Sequence, residues 1–92
     1  MLFHWGDVEV LKQYRTGDIF VEASTIEEAR EIALRDFDRY LRTRYDWLFY
    51  DGEPLDESAR EDLAEKVAAL RRGLKKAPSM TTKGAIFIEG SE

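Results

Sequence analysis

Ala59, Leu63, Val67, Leu70 and Leu74 recur at spacings of four, four, three and four. That rhythm lays five apolar side chains along one stripe of an α-helix, and a helix with one such stripe is stable only against another apolar surface. Asp51-Gly52-Glu53-Pro54 reads as a turn before this helix. Asp56 or Ser58 reads as its N-cap, and Ser58-Ala59-Arg60-Glu61 has the form of a capping box. Pro78 ends it.

A second stripe precedes the first. Ile26, Ala29, Ala33, Phe37, Tyr40 and Leu41 share one face, opposite Glu27, Glu28, Glu31, Arg35, Asp38, Arg39 and Arg42. Ser24-Thr25-Ile26-Glu27 matches the capping box, so this helix is expected to start at Ser24. Glu31 with Arg35 and Asp38 with Arg42 form expected i,i+4 pairs. The helix reaches at least Arg44; residues 45–50 suit either its continuation or a short strand.

The remaining apolar segments alternate. In residues 8–14, Val8, Val10 and Tyr14 fall on one face, with Lys12 interrupting it. Arg15-Thr16-Gly17-Asp18 is a turn signal, and residues 19–23 place Ile19, Val21 and Ala23 on one side. Together they predict a β-hairpin. Residues 85–89 supply a last strand, followed by a frayed tail. The expected fold is one α+β domain over residues 1–92, ordered β-β-α-α-β. It is a three-stranded antiparallel sheet with two antiparallel helices on one face, the third strand running antiparallel to the second and the order of the strands left open. Its expected core is Val10, Ile19, Val21, Ile32, Phe37, Leu41, Leu63, Val67, Leu70, Ile86 and Ile88.

Charge is distributed unevenly. Residues 46–65 hold eight acids against the single base Arg60, a net of −7; residues 66–83 hold six bases and no acid. The acidic block begins at Asp46-Trp47-Leu48-Phe49-Tyr50-Asp51, which sets aromatic rings among carboxylates. Aromatic residues are enriched at binding hot spots, and acidic rims steer basic partners. Asp46, Trp47, Tyr50, Asp51, Glu53 and Glu57 are therefore the candidate partner-binding residues. The alternative is that Trp47 and Phe49 close the end of the core. Arg71, Arg72, Lys75, Lys76 and Lys83 offer a contrasting basic run, which also suits a helix C-terminus. The overall charge of −5 repels phosphate, so direct nucleic-acid binding is not expected of the chain as a whole.

Chemistry finds little to work with. There is no cysteine, hence no thiolate zinc site, disulfide or thiol nucleophile; its absence fits a reducing cytoplasm. His4 is the single histidine, in an N-terminal strand beside Trp5, and reads as structural or merely surface. Aligning Gly52 with the glycine of a calcium loop puts Trp47 and Phe49 where carboxylates are required. Glu27, Glu28 and Glu31 lack the histidine partners of a di-iron site and suit a helix N-terminus instead. No phosphate-loop motif occurs. No catalytic residue, metal or cofactor is expected, and no stretch is long and apolar enough for a membrane span. Residues 1–10 lack the pattern of a signal peptide.

Phe20-Val21-Glu22-Ala23-Ser24-Thr25-Ile26-Glu27-Glu28-Ala29 resembles the strand-then-helix opening of many small phage and plasmid proteins. In size, acidity and α+β pattern the chain resembles phage-encoded anti-CRISPR proteins. That resemblance implies a non-enzymatic inhibitor in the cytoplasm of a bacterial host. It would block a basic, nucleic-acid-binding surface of an effector complex. Two alternatives stand beside it: a nucleic-acid-binding module using the 71–83 segment, or a small phage assembly protein that self-associates through a strand edge.

Overall fold

Phe3 and Trp5 alternate with Leu2 and His4, and this short run forms the central strand of the sheet. In the computed structural model, which describes residues 1–11 and 17–81, β1 is Leu2–Trp5 and β2 is Ile19–Glu22. Helix α1 spans Ile26–Arg44, β3 is Phe49–Tyr50, β4 is Glu53–Pro54, α2 spans Glu57–Leu74 and β5 is Ser79–Thr81. The fold is α+β: β2, β1 and β5 form a three-stranded antiparallel sheet in that order, with two helices, and β3 and β4 add a small hairpin between the helices.

The expected order of elements holds, but the strands come from different residues. The first strand is not residues 8–14. Glu9–Leu11 is a 3-10 turn, and residues 12–16 lie outside the described residues. Two rings explain the difference. Phe3 and Trp5 offer far more apolar area to one sheet face than Val8 and Val10, whose face Lys12 interrupts. Asp7 takes a positive φ of 56° after Trp5 and turns the chain, so that Val8 enters the core from a turn. Val8 N–H donates to Gly17 O at 2.8 Å. A Cβ on Gly17 would stand 2.4 Å from that of Leu11, so only glycine permits the approach.

The register pairs Phe3 with Val21 and with Met80, and Leu2 with Glu22 and with Thr81. The last strand therefore lies beside the first, because the N-terminal strand occupies the centre; pairing antiparallel with β1 as β2 does, it runs in the same direction as β2, contrary to expectation. The 85–89 strand, with Ile86 and Ile88, lies outside the described residues.

Helix α1 starts one residue later than its sequence suggests. Ala23 N–H donates to Met1 O at 2.9 Å, keeping the backbone extended past β2. The cap shifts to Thr25, whose hydroxyl accepts from Glu28 N–H at 3.1 Å; Glu28 reaches back to Ser24 N–H at 3.4 Å. For α2 the alternative resolves to Asp56, which accepts from Ala59 N–H at 2.8 Å. The start of α1 meets the end of α2 through Arg30 Nε–H, which donates to Leu74 O at 2.7 Å, so the helices run antiparallel. Of the expected ion pairs, Asp38–Arg42 forms at 2.9 Å. Arg35 instead bonds Asp36 at 2.9 Å and holds that carboxyl below the usual carboxylate range.

Ala29 and Ala33 lie in the contact zone of α1, where small side chains allow close approach, with Phe37 and Leu41 further along the stripe. Helix α2 contributes Leu63, Leu70 and Leu74, and Ala59 is also buried. Expected core members Val10, Ile19, Ile32 and Val67 pack at its margin, and Tyr40 is exposed. Among the described residues no polar or charged residue is buried, and the buried Trp5 satisfies its indole N–H on Lys76 O at 2.9 Å. Leu70 is only 1% exposed. Leu70→Ala should therefore cost about 2–5 kcal/mol, whereas Trp5→Phe, which keeps a ring but loses one hydrogen bond, should cost less. Equilibrium urea unfolding measures both; equal losses would place the cost in the strand and not in the helix packing.

Candidate functional site

The junction between the helices is built around a two-residue hairpin. Tyr50 and Glu53 are cross-strand partners, as are Phe49 and Pro54, leaving Asp51 and Gly52 as the loop. Their φ values are 54° and 83°. Positive φ at both central residues suits the right-handed twist of the flanking strands, and Asp-Gly is a favoured sequence for it. Strand alternation then sorts the rings: Phe49 and Pro54 are half-buried, while Tyr50 and Glu53 are exposed. A 3-10 turn, Asp46–Leu48, delivers the chain to this hairpin, so residues 45–50 are neither a continued helix nor a full strand.

Arg42 holds the hairpin in place. Its Nη1 donates to Gly52 O at 2.6 Å, its Nε donates to Asp38 Oδ2 at 2.9 Å, and its guanidinium lies 4.9 Å from the centre of the Phe49 ring. Leu55 N–H donates to Leu48 O at 2.8 Å and lengthens the pairing. Tyr45 anchors the preceding turn. It is half-buried, with Lys66 Nζ 4.6 Å and the Arg44 guanidinium 5.2 Å from its ring centre. Trp47 meets it edge-on at 5.4 Å.

The expected binding residues all lie on this junction. Tyr50 is 74% exposed and Trp47 59%, so neither closes the core; Leu48, Phe49 and Tyr45 do that. Asp46 is exposed in the turn, Asp51 and Glu53 in the hairpin, and Glu57 at the first position of α2, 3.8 Å from Arg60. Two contributors were not foreseen. Leu55, at 55% exposed, adds apolar surface beside the hairpin. Arg42 left no local sequence signal, because it acts on Gly52 from ten residues away.

Other features give less. His4 Nε2 lies 2.8 Å from Asp18 Oδ1 and stacks on Phe20 at 4.5 Å, an arrangement that ties β1 to the start of β2. A concavity of about 490 Å³ lies between the edge strand β2 and α1 and not at the hairpin. Ile19, Val21, Ile32, Phe37 and Tyr40 line it; its carboxylates Asp18, Glu22 and Asp36 each carry a cationic or histidine partner. Among the described residues, no group of three or more His, Asp or Glu side chains is placed to hold a metal ion. No helix is long and apolar enough to cross a membrane among those residues. No protein-family pattern, curated protein or solved structure matches the chain.

The hairpin geometry has a direct test. Nothing lies within 4 Å of a Cβ built on Gly52, so Gly52→Ala would act through its backbone alone and should cost about 1 kcal/mol. Asp51→Asn should be nearly neutral, because asparagine also tolerates positive φ. Arg42→Leu should speed hydrogen exchange at the Leu55 amide more than at the Leu70 amide. Equal acceleration at both would mean that Arg42 supports the whole fold and not the hairpin.

Proposed function

We propose that this protein is a non-enzymatic binding protein. Its partner is a basic protein surface, engaged through Asp46, Trp47, Tyr50, Asp51, Glu53 and Glu57. The observation that carries this reading is the exposure of Trp47 and Tyr50 at a junction that Arg42 and Tyr45 hold in place. Exposed rings lose apolar contact with water only when something covers them. A hairpin already fixed in shape gives up little conformational entropy on binding. The surrounding carboxylates would speed encounter with a cationic surface and disfavour an acidic one. Such a surface is characteristic of proteins that hold nucleic acid, and the effector complexes blocked by anti-CRISPR proteins are one class of candidate partner. The α+β pattern, the size and the net charge support that narrower assignment only by resemblance.

A pull-down from bacterial lysate, followed by mass spectrometry, should recover nucleic-acid-binding effector subunits; recovery of the protein's own copies alone would favour assembly instead. With the partner purified, Tyr50→Ala should weaken binding by at least about 2 kcal/mol, a factor of about thirty. The domain should stay folded, since the Tyr50 ring is outside the core. Reversing Asp51 and Glu53 to lysine should slow association and flatten its salt dependence more than it changes dissociation. Wild-type rates in both folded variants would rule this face out.

A further inference from the structure

Helix α2 pairs many of its charges. Glu57 meets Arg60, Asp62 meets Lys66 and Glu65 meets Arg72. The side chains of Arg71 and Lys75, one helical turn apart, have no hydrogen-bond or ion-pair partner among the described residues. The antiparallel packing brings Arg30 of α1 to the same place. Arg30, Arg71 and Lys75 line one open depression of about 330 Å³, whose other walls are Leu34 and Leu74. Among the described residues, no carboxylate lines it. Glu27 and Glu31 are exposed on neighbouring positions of α1, outside that lining.

Three cations around one depression repel one another, and the simplest account is that they serve the negative end of the helix dipole. The last carbonyls of α2 weaken that account, because they are occupied by other groups. Leu74 O accepts from Arg30 Nε–H, Arg72 O from Lys75 N–H and Gly73 O from Lys76 N–H. The Arg30 bond also fixes its guanidinium beside the depression. Arg71 and Lys75 cap nothing in the described structure.

We propose that Arg30, Arg71 and Lys75 form a binding site for the phosphates of a nucleic-acid strand. Guanidinium groups and an ammonium suit phosphate oxygens. The depression is open, and among the described residues its walls apart from the cations are two leucines, with no polar side chain to read a particular small molecule. That favours a repeating backbone over a single recognised metabolite. The net charge of −5 does not oppose this locally. The acidic hairpin lies at the other end of α2, whose 18 residues span about 27 Å. That is several times the screening length of about 8 Å at physiological salt. Arg72, part of the basic run in the sequence, is not part of the site because Glu65 engages it, and Lys83 lies outside the described residues. This site is independent of the acidic face and of any partner there.

The test is an NMR titration of the full chain with three probes: inorganic phosphate, a short single-stranded DNA and a polyglutamate peptide. Phosphate and DNA should both shift the signals of Arg30, Arg71 and Lys75. For three phosphate contacts with a single strand, log affinity should fall against log salt with a slope of about −2. The folded Arg71→Glu, Lys75→Glu double variant should lose DNA binding by tenfold or more and flatten that slope to below about −1 in magnitude. Unmoved signals, or DNA affinity indifferent to the double reversal, would overturn the site. Shifts with phosphate but none with DNA would overturn the strand as its ligand. Polyglutamate binding as tightly as DNA would replace phosphate by an acidic protein segment.

Discussion

The indole of Trp5 joins parts of the chain that are otherwise far apart. Its ring is buried in the core, and its N–H donates to Lys76 O, 71 residues away. A buried indole N–H without a partner is costly, so this bond constrains how β1 sits against the end of α2. Lys76 lies just past the C-cap of α2 and leads toward β5, which pairs with β1. One side chain thus relates the central strand, the second helix and the strand that closes one side of the sheet. Phe3, two residues earlier on the same face, fills the neighbouring volume at a ring separation of 6.4 Å.

The two helices were legible because their signals are local. Ala59, Leu63, Leu70 and Leu74 are buried as their spacing implied, as are Ala29, Ala33, Phe37 and Leu41. The first strand was legible only in part: an N-terminal strand was read around His4 and Trp5, but residues 8–14 were given its place in the sheet, because period-2 evidence over four residues competes poorly with a seven-residue alternation. The tie is broken by packing: two large rings outweigh valines whose face carries a lysine. The Thr25 cap was displaced by one residue through a tertiary contact, Ala23 on Met1, that no local window contains. At the candidate site, the exposed rings and acids were readable, but Arg42 was not. Its contacts join a helix face to a loop carbonyl, and only the folded path sets that distance.

The helices also separate charge in space. Asp56 caps the start of α2 and Arg30 caps its end, so each terminus uses an ionised group to satisfy backbone. Unpaired charge collects beyond these caps: carboxylates and exposed rings around the hairpin, and Arg71 with Lys75 at the opposite end. The interior contains none of it, since the described core is apolar throughout. Stability therefore rests on packing, and much of the surface charge is left for other uses.

The sheet has a kinetic consequence. Its central strand comes from residues 2–5, and the partner on one side comes from residues 79–81. Closing so long a loop forfeits chain entropy before any strand contact compensates for it, and long-range pairing is correspondingly slow. The helices, by contrast, are local, and a connection of a dozen residues lets them meet early. Assembly should then run from the helical pair toward the sheet, with β1 docking onto a surface that α1 and α2 have already formed. The first residues of the chain would be among the last to find their place.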